Sequence, residues 1–289
     1  MRSKIILAGI GIILFASSCK KEKTDSGNLK AVFSYSVSGF VVNFTNFTDF
    51  TNYTGPYATY DWDFGDGDTS SLSSPSHIYS HVGNYVVTLK ATKSNEVSTF
   101  FDTVKVTGPH IVTDGDFSDW DHVEYTYVSP DSTSGSDLLA MKAFAYGDSV
   151  YFYVEGVSGM MQNVTHFYFD TDKNPSTGYT TGDYPAGSGA EYLYEGDLYW
   201  WGTISKYSGT GTDWTWTTSS DFGLGATFSP ISTLANGRDA IEFAFAKSAL
   251  GNVKGSVNFA VNDLDAGWNV IGSLPEKGQS TSKFIEIDF

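Results

Sequence analysis

The sequence predicts an all-β chain of two antiparallel sandwiches, the first Ig-like and the second larger, and three observations predict it. Beyond residue 108 the chain carries almost no helical periodicity, only short apolar or alternating runs. Clusters of Gly, Asp, Asn and Ser separate those runs and read as turns. Earlier, Tyr60, Trp62 and Phe64 lie two apart, so on a strand they share one face while Asp61 and Asp63 take the other. A length of 289 residues suits about two domains.

The first residues read as an address. Arg2 and Lys4 precede the apolar run Ile5 to Phe15, which is shorter than the roughly 20 residues of a spanning helix. Ala16, Ser17 and Ser18 then lead to Cys19, the one cysteine of the chain. A charged start, an apolar stretch and small residues before a cleavage point make a secretory signal. With the cysteine in that position it resembles a bacterial lipoprotein signal, which implies removal of 1–18 and lipidation of Cys19. Residues 19–28, with Lys20, Lys21, Glu22 and Lys23, read as a polar tether. They resemble the segment behind the cysteine of surface-exposed lipoproteins, so an outer-membrane, cell-surface location is expected. A lone cysteine also excludes a disulfide framework and a thiolate zinc cluster.

Residues 29–107 form the first expected domain. Gly65-Asp66-Gly67 supplies a turn after the Tyr60-to-Phe64 strand, and Tyr85, Val87 and Leu89 alternate on a later one. The run from Tyr60 to Gly67, followed by Pro75, His77, Tyr79, Gly83 and Tyr85, looks like a PKD domain. That resemblance implies a seven-stranded Ig-like sandwich serving as a rigid spacer. It also makes His77 a structural position, with Asp63 and Asp66 fixing the turn through nearby backbone N–H groups.

Residues 108–289 form the second. Nine strand candidates are visible: 138–146, 149–155, 166–170, 190–195, 198–205, 214–218, 239–246, 256–262 and 284–288. The opening Asp114-Gly115 followed by Trp120 resembles the start of family 9-like carbohydrate-binding modules, related to DOMON-like sandwiches. The stretches Ile241 to Phe245 and Val257 to Asp263 add to the likeness. Some members of that outline bind sugars and others haem. The nearest haem ligands here would be Met160 or Met161 with His166. Trp120, as the signature residue opening a sandwich, is expected in the core.

The remaining tryptophans are candidates for a glycan platform. Trp214 and Trp216 are two apart in a polar setting, Trp200 and Trp201 are adjacent and point to opposite faces, and Trp268 lies in a loop. A pyranose presents a face of C–H groups that stacks on an aromatic ring, and a rim of hydroxyls that short polar side chains read. A second group is Asp170, Asp172 and Asn174, at positions 1, 3 and 5 of a turn. Such spacing suits Ca²⁺, which takes oxygen ligands, with Glu191 or Asp183 completing the shell. A metal-free Asx turn is the competing reading.

The net charge of −16 excludes a nucleic-acid backbone as partner and disfavours acidic glycans. No H-E-x-x-H, G-x-S-x-G or P-loop pattern is present, so no enzyme is expected. The sequence reading is therefore a lipid-anchored, non-catalytic protein. It captures neutral polysaccharide or oligosaccharide at the cell envelope, beside a transporter or hydrolase. The competing reading is a structural or adhesive surface lipoprotein that binds protein partners and is stiffened by Ca²⁺.

Overall fold

The computed structural model describes residues 29–49, 57–130, 135–221, 225–251, 253 and 255–288. Cys19, the signal segment and the tether lie outside the described residues. The chain divides into two compact units, the first drawn mostly from residues before Val106 and the second from Val106 onward. No α-helix occurs among the described residues.

Among the described residues the first unit has seven strands in two sheets. These are β1 (Phe33–Ser38), β2 (Val41–Asn46), β3 (Thr59–Asp63), β4 (Thr69–Ser70), β5 (Ser76–Ile78), β6 (Gly83–Lys93) and β7 (Glu96–Val106). One sheet has the order β1-β2-β5 and the other β4-β3-β6-β7. Alternation along β3 buries Trp62 between exposed Asp61 and Asp63, and Trp62 meets Phe33 and Phe44 of the facing sheet at centroid distances of 5.1 and 5.3 Å. Its indole N–H donates to Leu72 O (2.9 Å), so the buried polar atom is satisfied. Gly65 closes the turn at φ +82°, and a Cβ there would stand 2.8 Å from Val86 O, so only glycine fits. Asp63 accepts from Gly65 N (2.9 Å) and Asp66 from Asp68 N (3.1 Å), the turn-fixing role expected of them. The His77 ring stacks on Phe64 at 4.1 Å, and its Nε2 lies 2.7 Å from Asp66 Oδ2.

The second unit is a larger sandwich. Its six-stranded sheet contains β8 (Tyr127–Val128), β9 (Leu138–Tyr146), β10 (Ser149–Gly156), β15 (Ala226–Phe228), β16 (Ser232–Thr233) and β17 (Asp239–Ala246). The order is β15-β17-β10-β9-β8, with β16 also on β17. The seven-stranded sheet contains β11 (Val164–Asp170), β12 (Tyr192–Gly196), β13 (Gly202–Tyr207), β14 (Trp216–Asp221), β18 (Ser256–Leu264), β19 (Val270–Leu274) and β20 (Ile285–Asp288). Its order is β14-β13-β12-β11-β18-β19, with β20 also on β18. All nine expected strands are present. The third begins two residues earlier than its run, and the fifth starts only at Gly202 because Leu198 to Trp201 form a hairpin turn.

Phenylalanines fill the space between the sheets. Phe152 stacks on Phe259 at 4.3 Å and Phe167 meets Phe243 at 4.6 Å, each pair spanning the two layers. Each such ring contributes about 2–3 kcal/mol of apolar burial. Every residue of β11 is buried. Phe167 and Phe169 face this core, while the opposite face is covered by a second cluster of Tyr168, Tyr184, Ala190, Leu193, Ala260 and Phe284. That covering removes the alternation an open antiparallel strand would show.

The 114–120 signature is structural. Trp120 is buried, and its Nε1 donates to Glu242 Oε2 (2.9 Å). Glu242 Oε1 accepts from Asp114 N and Gly115 N (2.8 and 2.6 Å), so one buried carboxylate ties the opening turn and the indole to β17. Another buried acid spans the sandwich. Asp263 on β18 hydrogen-bonds Asp137, just before β9, and also accepts from Met161 N. Burial, together with the bond to Asp137 and its charge, pushes Asp263 up to about 8, so the pair holds a proton at neutral pH.

Candidate functional site

The outer face of the seven-stranded sheet carries the candidate site. On β11 the side chains alternate, so Phe167 and Phe169 turn to the core while His166, Tyr168 and Asp170 turn outward. Register places Glu195 of β12 and Asn262 of β18 on either side of His166. His166 Nε2 lies 2.8 Å from Glu195 Oε2, and Nδ1 is 3.1 Å from the Tyr168 hydroxyl. Tyr184 donates to Asn262 Oδ1 (2.6 Å). Burial, and then the nearby Tyr179 and Tyr184, raises the Tyr168 hydroxyl well above its usual value, so it stays a neutral donor.

Two exposed indoles flank this polar strip. Trp214 is 48% exposed and its ring lies 5.4 Å from His166; Trp268 is 53% exposed and lies 6.2 Å from the same ring. Trp216 is half-buried, packing at 5.6 Å from Trp214 with an interplanar angle of 72°. The two therefore share a face but do not form a flat coplanar platform. Trp216 packs instead against the lower cluster and supports Trp214. Tyr179 backs both, at 5.1 and 5.6 Å.

Trp268 sits at the tip of a turn with φ +66°. A positive φ is uncommon for a bulky residue, and glycine would occupy it at lower cost. Asp265 holds the turn: its Oδ1 accepts from Gly267 N (2.8 Å) and Asn269 N (2.9 Å). Those bonds keep the Asp265 carboxyl below its usual range.

Trp200 and Trp201 occupy the β12–β13 hairpin tip. Trp200 is 88% exposed, and among the described residues neither ring joins the group around His166. Asp197 Oδ1 accepts from Tyr199, Trp200 and Trp201 N–H (3.1, 2.7 and 3.0 Å). Slight burial pushes Asp197 up, but those three bonds outweigh it and hold the carboxyl low. This tip is a rigid aromatic protrusion separate from the His166 strip.

The acidic turn after β11 is arranged differently from a simple loop. One oxygen from each of Asp170, Asp172 and Glu191 lies within 4.8 Å of the others. Asn174 Oδ1 instead accepts from Ser176 N (3.1 Å), and Asp183 pairs with Lys277 Nζ at 3.4 Å. Of the two completing carboxylates considered, the structure thus brings Glu191 to the group. Burial, then the charges of Asp172 and Asp170, push Glu191 up to about 7 against hydrogen bonds from the 171 and 172 backbone. Gly178, at φ +65°, lets the loop lie on β12's approach: a Cβ there would stand 2.5 Å from Glu191 Oε1. Oxygen ligands alone fit a hard cation such as Ca²⁺.

Met160 and Met161 are buried in the sandwich core while His166 turns to the opposite face toward Glu195, so the three do not converge as haem ligands. A cleft of about 860 Å³, lined by Asp170, Lys173, Pro175, Asn258, Phe284 and Glu286 among others, includes none of the tryptophans.

Sequence reasoning did not find His166, Glu195, Tyr168 or Asn262 as one strip. They sit on three strands whose register only the folded sheet supplies, and an outward His on a fully buried strand leaves no alternation to read.

Residues 37–108 match the PKD domain family model. The chain thus carries a PKD domain near its N-terminus, followed by a larger β-sandwich region. Solved structures similar to the first part include the PKD1 domain of the Vibrio cholerae metalloprotease PrtV, at 34% identity over 27% of this chain and 95% of that one (TM-score 0.25). The PKD1 domain of Vibrio anguillarum Epp aligns at 30% identity over 29% and 100% (TM-score 0.27). A structure from work on the promiscuous specificity of carbohydrate-binding modules of the β-sandwich superfamily aligns at 18% identity over 77% of this chain and 93% of that one (TM-score 0.27).

Proposed function

We propose that the protein is a non-catalytic glycan-binding protein, held at the cell envelope by lipid on Cys19, whose second unit captures neutral polysaccharide or oligosaccharide. The observation that carries this reading is the pair of exposed indoles, Trp214 and Trp268, on either side of the His166–Glu195 pair. Exposed aromatic rings of this size on a folded surface mark interaction. A sugar's C–H face stacks on such a ring and releases water from apolar area. Glu195, whose side chain is 27% exposed, accepts from sugar hydroxyls, with His166 Nε2 2.8 Å from its carboxylate. The positive φ of Trp268 is held by the Asp265 turn, which presents the ring at the tip. Net negative charge favours neutral over acidic glycans. The PKD domain acts as the spacer that lifts this face from the membrane. A neighbouring transporter or hydrolase receives the captured chain.

The hairpin tip gives the competing reading its one support. Trp200, almost fully exposed, is the shape of a protein-binding anchor and would serve an adhesive or structural surface protein. Affinity electrophoresis of the full chain through gels containing neutral polysaccharides separates the two. Retardation that is lost in Trp214→Ala and Trp268→Ala but kept in Trp200→Ala supports glycan capture. No retardation in any gel by a folded sample rejects it.

A further inference from the structure

We propose that Asp170, Asp172 and Glu191 bind one divalent cation of the calcium class, and that the ion fixes the 171–178 loop behind the Trp214 platform. The second half of this inference rests on the glycan reading; the first does not.

Three carboxylates crowd within 4.8 Å, and each is held by a protein donor in a consistent way. Asp170 Oδ2 accepts from Asn258 Nδ2 (2.9 Å), Glu191 Oε2 from Thr171 N (2.8 Å), and Asp172 Oδ1 from Asn174 N (2.9 Å). The second oxygens of the two innermost acids are left open. Asp170 is 1% exposed, yet its Oδ1 receives no hydrogen bond, and neither does the buried Oε1 of Glu191. Buried polar atoms are normally paired, and an open oxygen inside a like-charged group is costly unless a proton or a cation sits there. The nearest lysine of the loop does not supply it, because Lys173 Nζ bonds Glu286 Oε1 at 3.1 Å.

The donor set selects the ion. Carboxylate oxygens without imidazole or thiolate suit a hard cation, and anchored outer oxygens are how ligands are oriented before metal arrives. Loop carbonyls and water are available for the rest of a shell of six to eight oxygens. The turn is tied to the aromatic site at its far end. Tyr179 follows Gly178, bonds Ala190 O through its N–H (2.8 Å), and packs edge-on against Trp214 at 5.1 Å. An ion joining Asp170 and Glu191 to Asp172 thereby restrains the chain that backs the indole.

The test is calorimetric titration of the full chain with CaCl₂, repeated with MgCl₂, on wild type, Asp172→Asn and Glu191→Gln. Thermal unfolding and tryptophan fluorescence are followed in parallel, and no sugar is needed. The expected result is a site with a Kd of about 10⁻⁴–10⁻³ M for Ca²⁺, lost in both variants. At a hundredfold excess over Kd the wild-type Tm rises by about 5 °C or more. Glu191→Gln removes crowded charge, so its Tm without Ca²⁺ equals or exceeds wild type while its Ca²⁺ response disappears. A purely structural role of Glu191 would lower the Tm with and without the ion. Because Asp66, Asp68 and His77 also lie close together, only heat lost in the variants counts. No Ca²⁺ heat at millimolar concentration, or heat unchanged in both variants, overturns the site. Site occupancy without any change in tryptophan emission overturns the link to Trp214 and leaves the site standing.

Discussion

The two units use the same residue types to opposite ends. Each has an Asp-rich turn after a strand, a histidine near a carboxylate and at least one tryptophan. In the first unit Trp62 is buried with its N–H bonded, and Asp63 and Asp66 close their own turn. Stacking on Phe64 and pairing with Asp66 occupy His77. In the second unit Trp214 and Trp268 are half-exposed around a histidine, and Asp170 and Glu191 keep open oxygens. What distinguishes these two Asp-and-His groups is that the first is closed on itself while the second keeps exposed rings and open carboxylate oxygens, although the residue types are shared.

The comparison breaks first at tryptophan. Trp62→Ala is expected to cost the first unit about 3–5 kcal/mol of stability, read by chemical denaturation, with glycan affinity within about twofold of wild type. Trp214→Ala and Trp268→Ala should do the reverse: a loss of affinity of about thirtyfold or more with a Tm change of about 2 °C or less. If Trp214→Ala unfolds the protein as Trp62→Ala does, the ring is core and the contrast fails. A smaller effect is expected at Asp265→Ala, which loosens the Trp268 turn. Affinity should fall by about three- to tenfold while binding is retained, because the ring remains and only its positioning is lost.

The comparison can also be sharpened by pH. Asp263 is pushed up to about 8, so the folded Asp137–Asp263 pair holds a proton that the unfolded chain releases near pH 4. The native state then binds more protons than the unfolded state between about pH 4 and 8, and stability falls as pH rises through that window, levelling above it. Thermal unfolding of the full chain should show a declining Tm for the second unit's transition from pH 5 to 8. Asp263→Asn should flatten that decline, and an unchanged profile would mean the pair does not share a proton.

Much of the fold was legible because its signals are local. The Tyr60–Trp62–Phe64 alternation, the glycine turn and the runs at 138–146 and 239–246 are decided by neighbours two residues away. The strands at 226–228, 232–233 and 270–274 were not, since they are short and take their place from pairing with β17 and β18. The candidate site divides the same way. Trp214, Trp268, Asp170 and Asp172 stand out by type. Glu195 and Asn262 acquire meaning only through register with His166, and sequence had no signal to separate Trp200 from Trp214.

The most direct measurement of the central claim is an NMR titration of the full chain with a neutral oligosaccharide, following the indole N–H signals of the seven tryptophans assigned by single substitution. Glycan capture on the His166 face predicts that the signals of Trp214 and Trp268 move together and saturate at one ligand concentration, while those of Trp62 and Trp120 stay still. Movement confined to Trp200 and Trp201, or none with any oligosaccharide, would contradict it.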